Sequence, residues 1–419
     1  MKNSDYSSTS PPTTPLRSVF TLPVLVAALG YFVDIYDLIL FSIVRVPSLM
    51  SMGLQGAELV DKGVFLLNMQ MTGMLLGGIL WGILGDRKGR MKIMFGSIFL
   101  YSVANIANGM VTTVEWYAVA RFVAGVGLAG ELGAGITLVS EMLHQKVRGY
   151  GTMIVATVGV SGAIAANFVA GLSSWQNAFY IGGVLGFLLL ALRICVHESG
   201  MFREMESSGI SRGNFFSLFY ERGRFSKYLK SILIGVPIWF VVGILITFSP
   251  EFGNYLGISG TVKAGNAVMF CYLGLIFGDL VSSLLSQFLK SRRKVVYIFI
   301  ALTVAGVAVY FLTAGASPAA FYAACAFLGF GSGYWAVFVT IAAEQFGTNL
   351  RATVATTVPN FVRGMVVPIT LLFQLARQQF SIGASAVLVG TLCIVIALMA
   401  LWRLEETFHK ELDYYEQCP

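Results

Sequence analysis

Asp34 and Asp37 stand three residues apart inside an apolar run. On a helix they share a face, together with Gly30 and Phe41. Two carboxylates this close in a low dielectric cannot easily both be ionised, which suits them to loading and releasing a proton. Glu131 is a second proton-site candidate for the same desolvation reason. The plain alternative is that Asp34 or Asp37 caps or pairs with a neighbouring helix. Arg363 is a lone cation about 11 residues into another apolar run, in Pro359-Asn360-Phe361-Val362-Arg363-Gly364, too deep to snorkel easily to water. A guanidinium binds carboxylate or phosphate with two prongs. Arg363 is therefore expected either to hold an anionic ligand or to form a standing ion pair with Asp34, Asp37 or Glu131. Arg121 and Asp279 complete the midplane set; Asp279 is read as structural, tied to a helix neighbour in the Gly274–Gly278 region. Ionisable groups at such positions are costly, so each is a functional candidate.

The elements that must position these residues follow from composition. The chain has 419 residues, 56% hydrophobic and 12% charged, with mean hydropathy +0.76. Soluble domains carry about 25% charged residues, so this chain belongs in a lipid bilayer. A spanning helix needs about 20 mostly apolar residues. Twelve such runs occur, at 18–44, 62–84, 92–112, 114–139, 150–170, 175–196, 228–249, 264–289, 294–314, 317–342, 352–377 and 383–403. Alternating strand patterns are absent, which speaks against a barrel. The fold class read from this is all-α, with twelve membrane helices.

If the N-terminus is cytoplasmic, 22 of the 28 Lys and Arg fall in cytoplasmic segments or at cytoplasmic helix ends. Arg45, Lys62, Lys263 and Arg377 then lie on the outer side. This bias fixes both termini inside. The net charge of +7 is that asymmetry summed, so no nucleic-acid partner is expected. The five cysteines form no C-x-x-C pair, and His144, His197 and His409 lie in loops or the tail, so neither a metal nor a cofactor is expected. Residues 1–17, polar and rich in Ser, Thr and Pro, read as a disordered cytoplasmic lead-in without the apolar core of a cleaved signal.

The chain repeats itself. Residues 197–227 form the longest loop and separate a six-run bundle, 18–196, from a second, 228–404, with a cytoplasmic tail at 405–419. Glu141 and Arg148 end the fourth run, and Glu344 and Arg351 end the tenth, at an offset of 203. At that offset Asp34 meets Pro237, Asp37 meets Phe240, Arg121 meets Ala324, Glu131 meets Tyr334 and Arg363 meets Val160. The central charges are thus private to one half, while the Glu–Arg pairs are duplicated.

Between the second and third runs lies Gly82-Ile83-Leu84-Gly85-Asp86-Arg87-Lys88-Gly89-Arg90-Met91-Lys92. It resembles the signature loop of the major facilitator superfamily, roughly G-x-L-x-D-R-x-G-R-[KR]-x. The second copy, Ser286 to Lys294, has lost its Asp. Ser140-Glu141 with Arg148-Gly149, then Glu198-Ser199, then Glu406-Thr407 through Leu412, resemble elements of the sugar-porter, metabolite:proton and phosphate:proton symporter branches. His144, Val196 and Glu405 stand where those branches often have proline. Gly30 to Leu38 is similar to the first helix of phosphate and organic-acid symporters, and Arg121 to Glu131 to the fourth helix of metabolite symporters.

The resemblance implies two parallel six-helix bundles with a substrate site between them near mid-bilayer. It implies proton coupling through Asp34, Asp37 and Glu131, with Arg121 tuning the proton site. Tyr334, Trp335, Trp239, Asn167, Asn360 and Gln70 join Arg363 as cavity-lining candidates, though ordinary helix packing explains each as well. Asp86, Arg87, Arg90, Glu141, Arg148, Glu344 and Arg351 form an expected cytoplasmic gate, with Arg90 and Arg148 pairing with Glu141, and Arg351 with Glu344. The expected function is proton-coupled uptake of a small polar metabolite, an organic anion, by alternating access in a bacterial-type inner membrane. The partners are the solute, protons and lipid, and the protein is expected to be a monomer. Alternatives are a neutral or zwitterionic solute, efflux of amphipathic compounds, or a non-transporting sensor. No nucleophile–base pair or nucleotide loop suggests an enzyme.

Overall fold

The computed structural model describes residues 21–88, 90–131, 148–193 and 215–408. Among these residues there is no strand, and eleven helices are long and apolar enough to cross a membrane. The first three are Leu22–Ser51, Gly56–Lys88 and Arg90–Met110. The fourth is Val114–Leu128, and the rest of the expected run to 139 lies outside the described residues after Glu131. The fifth comprises Arg148–Val160 and Gly162–Leu172, and the sixth is Trp175–Arg193. The seventh comprises Arg222–Leu233, Val236–Phe240 and a π-helical turn at Val241–Ile246. The eighth and ninth are Ala264–Phe288 and Arg292–Leu312. The tenth comprises Pro318–Gly331 and Trp335–Glu344, and the eleventh Thr348–Gly364 and Val366–Arg377. Ile382–Trp402 is the twelfth. The expected loop at 197–227 is shorter than its composition suggests, because Ser217–Tyr220 is a helical turn and the seventh helix already starts at Arg222.

The starts follow local chemistry. The side chains of Thr113, Ser291, Ser317 and Ser381 accept from backbone N–H groups three residues on. These groups would otherwise lack partners at a helix N-terminus.

The breaks repeat with the sequence offset. The fourth helix ends at Leu128 and the first part of the tenth at Gly331, 203 residues later. The fifth breaks at Ser161 and the eleventh at Met365, within one residue of the same offset. Glycines let paired helices touch backbone to backbone in both halves. A Cβ on Gly73 or Gly77 would run into the Phe122 or Val126 carbonyl, and one on Gly274 or Gly278 into that of Ala326 or Phe330. The second and fourth helices, and the eighth and tenth, are thereby locked as close pairs. Between the halves, the second helix packs on the eleventh and the fifth on the eighth. The first helix runs along the centre and packs against the eighth.

Candidate functional site: a buried ion pair between the halves

The centre of the molecule is held by Asp34 of the first helix and Arg363 of the eleventh. Arg363 Nη2 donates to Asp34 Oδ2 at 3.3 Å, and both side chains are almost wholly buried. The break of the eleventh helix at Met365 follows directly after Arg363, so this guanidinium sits on the last turn of a half-helix, where a cation is favoured. The pair is incomplete. Arg363 Nε and Nη1 and Asp34 Oδ1 have no hydrogen-bond partner among the described residues. The guanidinium carbon lies 5.8 Å from the Trp335 ring centre, and Trp239 meets Trp335 edge to face at 6.5 Å. Trp239 Nε1 is buried with no hydrogen-bond partner among the described residues. Tyr31 and Tyr272 are close enough to feel both charges. A half-satisfied cation with one indole beside it, and a second indole against the first, can bind a compact anion that has a flat apolar body.

The face expected to carry Asp34 and Asp37 together divides. Asp34 turns to the second half, and Asp37 turns into its own bundle. There Asp37 faces Gly182 of the sixth helix, where a Cβ would collide with Oδ1, and Asn105 of the third. Among the described residues, neither Asp37 oxygen nor either end of the Asn105 amide has a hydrogen-bond partner. Arg121 does not bond Asp37. Its Nη2 donates to Gln70 Oε1, and its guanidinium lies 4.9 Å from the Phe41 ring centre and 5.7 Å from that of Phe179. Phe41 and Asp37 thus serve one buried polar chamber in the first half. Gly30 serves another group on the same helix. It leaves room for Glu131, which is gripped by Arg193 of the sixth helix through two N–H groups, Nη1 to Oε2 at 3.0 Å and Nη2 to Oε1. In this conformation Glu131 is engaged as the carboxylate of an ion pair. Arg193 escaped the sequence reading because it ends its helix and counted only towards the basic bias. Its burial is decided by the approach of the first helix at Gly30.

The other candidates separate. Asn360 donates to the Ala129 carbonyl at 2.9 Å, across the halves, and to Thr356 at 3.1 Å. Tyr334 donates to the Ile234 carbonyl at 3.1 Å. Asn167 reaches Met269 Sδ at 3.5 Å, also across the halves. These three make packing contacts here, while Trp335 lies beside Arg363 and Trp239 against Trp335. Asp279 is structural, but its partner is not in the Gly274–Gly278 stretch. Its Oδ1 accepts from the Ala336 N–H at 3.1 Å, capping the restart of the tenth helix. A helix that restarts inside the bundle exposes N–H groups that need an acceptor.

A model of the Major Facilitator Superfamily matches residues 18–369. The chain belongs to the major facilitator superfamily. It is 26% identical over 390 residues to the putative niacin/nicotinamide transporter NiaP of Bacillus subtilis (strain 168), covering 88% of this chain and 94% of that protein. It is 24% identical over 393 residues to the gentisate transporter of Corynebacterium glutamicum, covering 90% and 86%. Among solved structures, the D-xylose-proton symporter superposes with a TM-score of 0.67 at 15% identity, covering 95% of this chain and all of that one. The fold is thus the twelve-helix, all-α membrane fold of this superfamily, and the chain is a multi-pass membrane transporter.

Of the gate residues a facilitator would use on its basic face, Glu141 lies outside the described residues. So do the side chains of Asp86, Arg87, Arg90, Arg148 and Arg351. Glu344 is described, and the structure pairs it with Arg292. Arg292 Nε and Nη2 form a fork on its carboxylate at 2.6 and 2.7 Å. The second signature copy has therefore kept a pairing role through the first arginine of its basic run.

Glu406 of the tail caps the same helix start. Its carboxylate accepts from the Ser291 hydroxyl and from the N–H groups of Arg292 at 3.0 Å and Arg293 at 3.2 Å. Burial works against its charge, but the Ser291 hydroxyl and the N–H groups of Arg292, Phe408 and Arg293 outweigh it and hold the carboxyl below the usual Glu range. A depressed folded-state value gives stability that is present above the unfolded value and disappears as pH falls through the folded one. The tail should therefore stay docked at neutral pH and release only below the ordinary Glu value of about 4.3. Hydrogen exchange at the Arg292–Lys294 amides should report this. In Glu406→Gln the same amides should already exchange faster at pH 7. Equal protection in the variant would mean that Ser291 caps this helix unaided.

Proposed function

We propose that this transporter takes up a small organic anion, a compact carboxylate of aromatic or similar flat shape, together with protons. The observation that carries this reading is the incomplete Arg363–Asp34 pair at the boundary of the two halves. Charge balance supplies the coupling. With Asp34 ionised, Arg363 has an internal partner and the site is neutral. With Asp34 protonated, Arg363 loses that partner, and an entering carboxylate replaces it. A protonated, empty site would leave a bare buried cation, which is strongly unfavourable. Proton and anion therefore enter together. Anion affinity rises as pH falls, because deprotonated Asp34 competes with the substrate for Arg363.

Trp239 and Trp335 supply the flat apolar wall, and the names of two relatives, niacin/nicotinamide and gentisate transporters, support an aromatic substrate. Asp37, which has no hydrogen-bond partner among the described residues and faces Asn105, is the second carboxylate of the coupling machinery, and Arg121 biases it from the next layer. The basic face is the cytoplasmic one, with both termini inside the cell membrane. Arg292–Glu344 and the Glu406 cap belong to the gate on that side.

Reconstituted protein should accumulate nicotinate, gentisate or benzoate when an inward proton gradient is imposed, and a protonophore should collapse the accumulation. Concentration of xylose or of a neutral amino acid, with no response to any carboxylate, would overturn the anion reading.

A further inference from the structure

The first half has a polar interior of its own, away from the Asp34–Arg363 pair, and the sixth helix threads it. Gly182 and Gly186 lie one turn apart on that helix, about 6 Å along its axis. A Cβ at Gly182 would collide with Asp37 Oδ1, and one at Gly186 would come within 2.9 Å of Tyr101 Cε2. Arg193 follows Gly186 by two turns on the same face, about 10 Å further, and there it holds Glu131. The other walls agree. On the third helix, Asn105 lies one turn beyond Tyr101 and faces Asp37. On the fourth, a Cβ at Gly127 would come within 2.7 Å of Tyr101 Cβ, and one at Gly130 within 2.7 Å of Ser97 Cβ, one turn before Tyr101. Glu131 follows directly. On the first, Gly30 stands two turns before Asp37 and leaves room for Glu131 and Arg193. Asp37, Tyr101 and the Glu131–Arg193 pair thus lie in order from the middle of the bundle towards the basic face.

The groups along this line have capacity to spare. Tyr101 is fully buried. Its hydroxyl, both Asp37 oxygens and both ends of the Asn105 amide have no hydrogen-bond partner among the described residues. Buried polar groups are satisfied by protein or by ordered water, and a water needs two to four polar partners. These atoms supply them. The Tyr101 hydroxyl is close enough to feel Glu131, Asp37, Arg193 and Asp34, one charge or more from each of the other three walls. Asp37 also feels Asp34 and Arg121, but the Arg121 guanidinium is bonded to Gln70. A phenol both donates and accepts, so it can pass a proton on while staying neutral. Phenylalanine would fill the same slot between Gly127 and Gly186, so packing alone does not call for the hydroxyl.

We propose that Asp37, Asn105, Tyr101 and Glu131 line a hydrated proton path inside the first half, by which protons pass between Asp37 and the basic face without crossing the solute site, with Tyr101 as the relay. The transfer balances. The Asp37 carboxyl gives its proton to a bound water, and that water gives one to the Tyr101 oxygen. Tyr101 releases its own proton through a second water to Glu131, the carboxylate held by Arg193, and the phenol ends neutral. The path rests on Asp37 being a coupling carboxylate, as proposed above, and not on which solute is carried.

The test needs no solute. The purified full chain is taken through a rapid pH jump, and the infrared band of a protonated carboxyl that disappears in Asp37→Asn is followed in time. Tyr101→Phe deletes one oxygen and keeps the ring. It should reach the wild-type band amplitude, but about tenfold more slowly or worse. Asn105→Leu, of similar volume, should be slowed in the same way. A Tyr101→Phe band that rises as fast as in the wild type overturns the path, because the proton then reaches Asp37 from the solute site. A final amplitude that falls in Tyr101→Phe also overturns it, since the hydroxyl would then set the Asp37 equilibrium and not the route. So does the absence of any band that Asp37→Asn removes, because the path would have no inner end. Failure here leaves the carboxylate substrate standing, and failure to accumulate any carboxylate leaves this test intact.

Discussion

Arg363→Gln should cost the transporter its affinity for carboxylates, by about 2–5 kcal/mol, or some thirty- to several-thousand-fold, the range for removing one member of a desolvated charge pair. The loss has two sources: the substrate carboxylate finds no guanidinium, and Asp34 is left buried without its partner. Arg363→Lys separates charge from shape. Lysine keeps the cation but not the flat fork, and it cannot lie beside the Trp335 ring in the same way. Its affinity should fall between wild type and Arg363→Gln. Binding is best measured by calorimetry or by thermal shift, where a ligand at a hundred times its dissociation constant adds roughly 2.7 kcal/mol of stability. The competing view is that Arg363 and Asp34 are a permanent bridge. The double variant Arg363→Gln with Asp34→Asn then decides. A bridge predicts a folded protein with wild-type affinity for the best anion, whereas an anion site predicts a folded protein that still fails to bind it.

Asp34→Asn should uncouple transport. Asparagine fixes the neutral state of this position, so Arg363 permanently lacks its internal partner. Three consequences follow from the charge balance. Anion affinity should become almost independent of pH, where the wild type binds more tightly as pH falls. Exchange of substrate across equal pH should continue. Accumulation against a gradient should vanish, because no proton is released on the inside to reset the site. Asp37→Asn should also impair accumulation, but it should leave the pH dependence of binding largely intact, since Asp37 faces Gly182 and Asn105 rather than Arg363. Flux that stays fully driven by a pH gradient in Asp34→Asn would remove this residue from the coupling step.

The amino-acid sequence alone determined the environment and the repeat. Twelve apolar runs, the basic bias and the signature between Gly82 and Lys92 are local features, and lipid solvation makes them decisive, because a chain in hydrocarbon must satisfy its backbone within each helix. The 203-residue offset also showed that the central charges belong to one half only, as charges near a shared axis should. Partnership was only narrowed: Arg363 could be matched to Asp34, Asp37 or Glu131, without a choice among them. Asp34 and Asp37 are three apart, and helical periodicity joins them on one face, yet the eleventh helix takes Asp34 and the third and sixth take Asp37. Glu131 read as a proton site or a partner of Arg363, and the structure pairs it with Arg193 of the sixth helix instead. Each of these pairings joins residues separated by 62 to 329 positions. Periodicity constrains neighbours a turn or two away. The rotation of one helix against another is set by side-chain packing across the bundle, including the glycine notches at Gly30 and Gly182, and only the assembled tertiary structure contains that information.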